Sequence, residues 1–229
     1  MNYVWPNDPD PRKQDAAKVV IPPTLNSLRN YVDLPMPTED GAVHLIIWDS
    51  WWGAEFGRAN GSGLTNHKSY QFRARSASGS VGNWFEVRSR WDGGDPPCRI
   101  PVTMTTLAAI DFRNYGAWGP NVTSGVQPIR PQAACFNILA ERWIRYWAQI
   151  DQRSGDYDLV TIWVADRDTG PVKVLDALQF EIGRGLAAFE IEFNTSTSTI
   201  APGRGDLVAY VRNVVHLRNA VNVVMPRPE

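Results

Sequence analysis

The feature that most constrains the fold is a two-residue alternation of side-chain character that recurs in segment after segment of the chain. The clearest case is Glu141 to Asp151, ERWIRYWAQID. Its two faces on a β-strand would be Ile144, Tyr146, Ala148 and Ile150 on one side, and Trp143, Arg145, Trp147, Gln149 and Asp151 on the other. Because large aromatic side chains left in water forgo a hydrophobic gain, the second face is predicted to be a binding surface.

Short segments with this alternation are bounded by clusters of Gly, Pro, Asn and Asp from residue 41 onwards. The predicted strands are 42–52, 69–75, 83–91, 135–138, 142–151, 158–165, 173–180, 188–194 and 207–217. Helical periodicity is nearly absent, and 11–19 and 103–110 are the two candidate helices. Many strands without alternating helices predict an all-β fold, a β-sandwich or jelly roll in which two sheets pack face to face.

Two regions of the 229-residue chain differ in composition. Residues 1–40 are rich in Pro, Asp and Asn, and are predicted to form an extended N-terminal arm lying on the domain. Residues 41–229 are predicted to form a single jelly-roll β-sandwich domain, because β-sandwiches of this size commonly fold as one unit.

The overall charge and the cysteines argue against several classes of partner. The formal net charge is -1 and the pI is near 6.3, which favours neither nucleic acid nor an anionic membrane surface. The longest apolar runs fall short of the roughly 20 residues needed to cross a bilayer. Cys98 and Cys135 form no CxxC and have no nearby His, so we predict neither a metal nor a cofactor; one disulfide or two free thiols remain open.

The location of the protein is predicted from weaker signals. Sequons occur at Asn60, Asn121 and Asn194, and they matter only in a secretory pathway that glycosylates. The first residues lack the apolar core of a signal peptide. We expect a secreted or cell-surface protein whose leader is not seen in this chain.

When the two-residue period is applied to every predicted strand, the polar faces of the strands are rich in Trp and Arg. The predicted ligand-binding residues are Arg73, Arg75, Trp84, Arg88, Arg90, Trp143, Arg145, Trp147, Gln149, Trp163, Tyr210 and Arg212. If these residues share one sheet, they form a groove in which rings stack on sugars and Arg forks bind carboxylate or sulfate groups. The alternative is that they are divided between two outer faces and form surface salt bridges.

Candidate catalytic groups lie on three of the predicted strands. Glu190 and Glu192 are two residues apart, so their Cα atoms would lie about 7 Å apart on one face, a spacing compatible with acid/base work on a glycosidic bond. Glu86 and Arg88 could neutralise a uronate for a lyase reaction, with Gln149 completing the site. A solvated strand face would give the same patterns.

The remaining motifs point to structure more than to chemistry. His44, His67 and His216 form no recognisable constellation, and His44 is predicted to be a satisfied buried or edge residue. The segment from Asp166 to Gly170 resembles the opening of a calcium loop but lacks the later ligands, so we predict a β-turn. G-x-S-x-G, P-loop and HExxH motifs are absent from the sequence.

Several of these segments carry a resemblance to a known superfamily. The run WIRYWAQIDQRSGDYDLVTIWVADRDTGPVKVLDALQF, with AFEIEFNTST and LVAYVRNVVHLRN, resembles the C-terminal half of concanavalin A-like lectin/glucanase jelly rolls, particularly the polysaccharide-lyase-like members. HKSYQFRARS and NWFEVRSRW resemble the earlier strand pair of such domains. The sequence departs from the lyase pattern at Gln149-Ile150-Asp151, where alginate-lyase-like members carry Gln-Ile-His.

Together, the residues and the resemblance predict a domain that binds a polysaccharide, possibly an acidic one, on a concave sheet. The first alternative is a polysaccharide lyase acting on a uronate-containing glycan. The second is a structural or assembly subunit that associates with other copies through its N-terminal arm. The two classes differ in whether the arm lies on its own domain or crosses to a neighbour.

Overall fold

The computed structural model describes residues 10–13, 15–22, 29–35, 41–54, 66–75, 81–90, 141–153, 158–180, 186–195 and 205–221. Pro11–Lys13 form a single turn of 3₁₀ helix. The strands are β1 (Ala17–Ile21), β2 (Arg29–Pro35), β3 (Val43–Trp52), β4 (Asn66–Arg75), β5 (Val81–Arg90), β6 (Trp143–Asp151), β7 (Asp158–Ala165), β8 (Val172–Phe180), β9 (Leu186–Thr195) and β10 (Leu207–Arg218).

The strands form two antiparallel sheets. One sheet has six strands in the order β1-β10-β3-β6-β7-β8, and the other has four in the order β2-β9-β4-β5. Strands that are consecutive in the chain often lie in different sheets, as in a β-sandwich whose connections cross from one sheet to the other. The predicted all-β, jelly-roll class of fold is confirmed.

The core lies against one face of the six-stranded sheet. Its central residues are fully buried and apolar: Ile46, Trp48, Ile144, Tyr146, Ala148, Ile150, Val160, Ile162 and Val164. Trp48 and Tyr146 are opposite each other in the register, and their rings stack at a centroid distance of 4.8 Å. Ile191, on β9 of the four-stranded sheet, is also fully buried. This face is the apolar face that the alternation in β6 predicts.

The N-terminal region contributes strands that the sequence patterns did not reveal. The helix predicted at 11–19 is wrong, because the 3₁₀ turn ends at Lys13 and β1 begins at Ala17. β1 pairs with β10 of the same chain, and β2 pairs with β9. Both lie at sheet edges, where proline is tolerated. Pro22 follows β1, and Pro35 is the last residue of β2.

Most of the predicted strands are confirmed, with ends that move by a few residues. The strand predicted at 158–165 is observed as Asp158–Ala165. The strand predicted at 135–138, the helix predicted at 103–110, and both cysteines lie outside the described residues. In the part of the chain that the structure describes, no helix is long and apolar enough to span a membrane.

Candidate functional site

The second face of the six-stranded sheet carries aromatic and charged side chains that neighbour one another across strands. We call it the Trp/Arg face, and it comprises Asp49, Trp51, Trp143, Arg145, Trp147, Trp163, Tyr210 and Arg212. The register places Trp51 opposite both Trp143 and Tyr210, and Asp49 opposite both Arg145 and Arg212. Trp147 is opposite Trp163 on the next strand. The two-residue alternation in β6 therefore continues over four neighbouring strands.

A buried carboxylate organises the centre of this face. Asp49 is fully buried, and it accepts hydrogen bonds from Arg145 Nε at 2.6 Å and Arg145 Nη2 at 3.0 Å. Arg212 Nε donates to the same carboxylate at 3.1 Å, and Asn213 Nδ2 at 2.8 Å. A buried charge requires such a set of paired donors. Asp49 is not among the predicted site residues, although a charged residue inside the apolar run AVHLIIWDSWW is a signal for a buried ion pair.

A β-bulge explains how two consecutive residues reach one carboxylate. The register of β10 against β3 shifts between Arg212 and Val215, and Asn213 has a positive φ of 54°. In a regular strand, neighbouring side chains point to opposite faces, so Arg212 and Asn213 could not both contact Asp49. Asn adopts this left-handed conformation more readily than most residues. The bulge therefore allows both Arg212 and Asn213 to donate hydrogen bonds to Asp49.

The guanidinium groups of the two arginines in the cluster also lie near tryptophan rings. The guanidinium carbon of Arg212 lies 4.2 Å from the centroid of the Trp143 ring, and that of Arg145 lies 5.9 Å from the centroid of the Trp147 ring. Trp143 is 4% exposed and Trp147 is 4% exposed. These contacts give Arg145 and Arg212 a structural role within the face, since Asp49 already receives their donors.

A pocket opens at the end of the Trp/Arg face, with a volume of about 540 Å³. We call it the Trp51 pocket, and its lining residues are Asp10, Pro11, Arg12, Trp51, Gly53, Ala54, Glu141, Asp206, Val208 and Tyr210. The rings of Trp51 and Tyr210 meet edge to face, with centroids 5.6 Å apart. Two aromatic rings and several carboxylates therefore line one concave space, which is the usual composition of a small-molecule site.

The backbone around the pocket is fixed by close contacts. Gly53 N–H donates to the Val208 carbonyl oxygen at 2.8 Å, and a Cβ at Gly53 would lie 2.8 Å from that oxygen. A side chain at position 53 would force the ends of β3 and β10 apart. Glu141, which has a φ of 61°, donates its N–H to the Trp52 carbonyl oxygen at 2.7 Å. The strand ends and Glu141 thus form a defined wall of the pocket.

The structure divides the predicted ligand-binding residues between two sheets. In the six-stranded sheet lie Trp143, Arg145, Trp147, Gln149, Trp163, Tyr210 and Arg212. In the four-stranded sheet lie Arg73, Arg75, Trp84, Arg88 and Arg90. The premise that all twelve share one sheet is wrong, because strand order cannot be derived from alternation alone. Arg145 is 8% exposed, so the centre of the predicted open face is largely buried.

The candidate catalytic residues are also divided between the sheets. Glu86 and Arg88 lie on β5, and Glu190 and Glu192 on β9, where their side chains are outside the described part of the structure. In the β4 register, Gln71 pairs with Glu86 on one side and with Glu190 on the other. Gln149 lies on the other sheet, so it cannot complete a site with Glu86 and Arg88 on one sheet surface.

Two polar residues at the end of β6 make structural contacts. Gln149 Nε2 donates to the Ala220 carbonyl oxygen at 3.0 Å, which ties β6 to the segment after β10. Asp151 accepts from Arg153 Nε at 2.9 Å and Nη2 at 2.7 Å. The hydrogen bond from Arg153 lowers the pKa of Asp151, so this carboxyl is a poor proton donor at neutral pH.

The predicted turn after β7 is confirmed. Asp166 accepts hydrogen bonds from the backbone N–H groups of Asp168 at 2.9 Å and Thr169 at 2.6 Å. This arrangement is an Asx turn, in which the carboxylate substitutes for a backbone acceptor. No group of three or more His, Cys, Asp or Glu residues within the described ranges is placed to hold a metal ion.

Two histidines that the sequence left unconnected form a hydrogen-bonded chain. His44 Nδ1 lies 3.0 Å from His216 Nε2, and His44 Nε2 lies 3.1 Å from Gln152 Oε1. His44 is fully buried and both of its ring nitrogens are engaged, which confirms the prediction of a satisfied buried residue. If Gln152 accepts from His44 Nε2, then His44 Nδ1 accepts from His216, and both imidazoles can be neutral.

This pair predicts a loss of stability in mild acid. Burial, and then the neighbouring His216, lower the pKa of His44 from 6.5; burial also lowers the pKa of His216. The unfolded state therefore binds protons more readily than the folded state, so stability should fall as the pH drops through 6.5. We expect the free energy of unfolding to decline between about pH 7 and pH 5, measured by urea titration.

The matched variant for this experiment is His44→Gln. It should be less stable at neutral pH, because it disrupts a buried hydrogen-bonded chain, but its stability should depend less steeply on pH over the same range. Equal pH dependence in the variant and the native protein would show that the pair does not cause the effect.

Comparisons with known proteins give structural likenesses only. No family model matches the chain, and no curated protein matches it. A GH131 β-glucanase catalytic domain from Podospora anserina has a TM-score of 0.49 and 11% identity, over 93% of this chain and 74% of that one. A PL-14 alginate lyase from Aplysia kurodai has a TM-score of 0.42 and 13% identity, over 80% of this chain and 71% of that one.

A third similar structure is the endo-β-1,4-glucuronan lyase from the fungus Trichoderma reesei. Its TM-score is 0.43 and its identity 12%, over 88% of this chain and 80% of that one. All three likenesses have TM-scores below 0.5 and sequence identities of 11–13%.

Proposed function

We propose that this chain is a carbohydrate-binding β-sandwich protein, and that the Trp51 pocket receives a sugar of the bound polysaccharide or oligosaccharide. The observation that carries the proposal is the cavity itself, about 540 Å³ in volume and walled by the rings of Trp51 and Tyr210. Its size falls within the range of about 300–1,000 Å³ found for ligand pockets.

The groups around the pocket suit a sugar chemically. An aromatic ring offers a flat apolar surface to the C–H face of a pyranose, and carboxylates accept hydrogen bonds from its hydroxyl groups. The pocket provides both through Trp51, Tyr210, Glu141 and Asp206. Catalysis would demand in addition a positioned acid and base, so the proposal is limited to binding.

The remaining predictions concern the charge of the ligand, lyase activity, the location of the protein and its self-association. A preference for an acidic polysaccharide, and the lyase alternative, now depend on Arg73, Arg75, Arg88 and Arg90 of the four-stranded sheet. A secreted or cell-surface location would suit a polysaccharide ligand. Self-association through the N-terminal arm also stays a prediction, although β1 pairs with a strand of its own chain.

The direct test is calorimetric titration of the protein with neutral, acidic and amino-bearing oligosaccharides. Trp51→Ala should weaken binding of whichever oligosaccharide binds by about 1–2 kcal/mol, roughly tenfold, because it removes the stacking ring. The matched variant is Trp163→Ala, which removes another half-buried tryptophan from the same face at a distance from the pocket lining.

The two variants separate three outcomes. Loss of affinity in Trp51→Ala alone would place the sugar in the pocket, and loss in both variants would indicate a disturbance of the sheet that the two tryptophans share. Unchanged affinity in Trp51→Ala would contradict the pocket as the site. If none of the oligosaccharides binds the native protein, the proposed function itself is wrong.

A further inference from the structure

Among the residues that the structure describes, those that line the Trp51 pocket carry an excess of negative charge. They include three carboxylates, those of Asp10, Glu141 and Asp206, and one guanidinium, that of Arg12. Arg12 is engaged by Asp10, with Nε to Oδ1 at 2.8 Å and Nη2 to Oδ2 at 2.6 Å. The surplus negative charge of the pocket therefore resides on Glu141 and Asp206.

These two carboxylates have no ion pair within the described residues. Arg142, the cation next to Glu141 in sequence, is paired with Asp168 at 2.5 Å and lies 4.0 Å from Asp166. Lys18 is opposite Tyr210 in the register but is not part of the lining. Glu141 and Asp206 are exposed, so they are available to a ligand entering the pocket.

The charge and the aromatic walls together define the kind of sugar. We propose that the Trp51 pocket selects an amino sugar, with its ring against Trp51 or Tyr210 and its protonated amine between Glu141 and Asp206. A uronate would be repelled by the same carboxylates, and a neutral sugar would gain the ring contact without the charge attraction. The inference rests on the proposed function and names the substrate class of the same site.

The aromatic walls of the pocket determine its ligand as much as the carboxylates do. Carboxylates alone would attract any cation, whereas a 540 Å³ cavity with two rings adds an apolar surface that fits the face of a pyranose. The pocket is also rigid at its base, since Gly53 and Glu141 are tied by backbone hydrogen bonds to Val208 and Trp52. A cationic peptide would satisfy the charge but not the ring contacts.

The test compares oligomers of glucosamine, N-acetylglucosamine and a uronic acid, matched in length, by calorimetry in buffer of low ionic strength. The glucosamine oligomer should bind about five- to tenfold more tightly than the N-acetylated one, because each exposed carboxylate contributes only modestly to an ion pair. Raising the salt should reduce this ratio. The uronate oligomer should bind most weakly at this pocket.

A double variant, Glu141→Gln with Asp206→Asn, should reduce the ratio between the glucosamine and N-acetylglucosamine oligomers to about one, while keeping the rings and the binding of the N-acetylated oligomer. The matched control is Asp151→Asn, which removes one carboxylate far from the pocket and should leave the ratio unchanged. Trilysine serves as a cation without a sugar ring.

Each result leads to a separate conclusion. Equal binding of the glucosamine and N-acetylglucosamine oligomers would overturn the amino-sugar inference and leave the proposed function standing. Competition by trilysine as strong as that by a glucosamine trimer would also overturn it, since the pocket would then recognise charge alone. Binding of no saccharide by the native protein would overturn the proposed function.

Discussion

Replacing Asp49 by alanine should lower the free energy of unfolding by about 3–5 kcal/mol, among the largest effects of any single substitution in the described part of the protein. Asp49 is fully buried and accepts hydrogen bonds from Arg145, Arg212 and Asn213. Its removal would leave two guanidinium groups in a largely buried setting without the carboxylate between them. Removing one partner of a buried ion pair is far more costly than the loss of a surface ion pair.

Urea titration followed by circular dichroism would measure this effect, with Asp151→Ala as the matched control. Asp151 also accepts two hydrogen bonds from an arginine side chain and one from its backbone N–H, but that arginine is exposed, so the control should lose no more than about 1 kcal/mol. Similar losses in the two variants would mean that the Asp49 cluster is not buried as described. The Trp143 and Trp147 environments should change in the Asp49 variant only.

Replacing Trp48 by alanine should cost about 3–5 kcal/mol through the cavity that it leaves. Trp48 is fully buried in the core and stacks on Tyr146 with only 4° between the ring planes. The sheet on either side of it is tied by the ladders of β3 with β6 and β10, so the site cannot easily collapse around a smaller residue. The loss should appear in thermal unfolding and in the near-ultraviolet dichroism of the native state.

A matched change at Trp163 shows whether burial causes this loss. Trp163 is also a tryptophan on a central strand, but it is half-buried on the opposite face, so Trp163→Ala should cost clearly less. A conservative Trp48→Phe change should recover part of the stability, because the ring stacking on Tyr146 is kept. Equal losses at positions 48 and 163 would contradict the assignment of the core face.

The sequence predicted those elements whose side chains alternate clearly. The predicted bounds of β7 match the observed ones, and alternation separates the two faces of β6 correctly. β1 and β2 were missed because edge strands next to prolines lack a clear alternation and gain their order from partners distant in sequence. Residues 11–19 had the composition of a helix, but pairing with β10 overrode that weak preference.

The candidate site was only partly predictable, because strand order and bulges depend on the tertiary fold. Tyr210 was identified from alternation, whereas Trp51, Glu141 and Asp206 come from segments that meet only in the folded chain. Arg145 and Arg212 were identified as ligand contacts, yet Asp49 engages both of them. The bulge at Asn213, which directs two consecutive side chains to Asp49, leaves no mark in the pattern of apolar residues.

We expect a saccharide to bind in the pocket walled by Trp51 and Tyr210. The most direct measurement is ¹H–¹⁵N NMR of the indole groups of the ten tryptophans, assigned by single Trp→Phe substitutions and followed during titration with an oligosaccharide. The resonance of Trp51 should shift most, that of Trp143 beside it should follow, and that of Trp48 in the core should stay in place. A saccharide that binds and shifts other indole resonances, with Trp51 unaffected, would contradict the account.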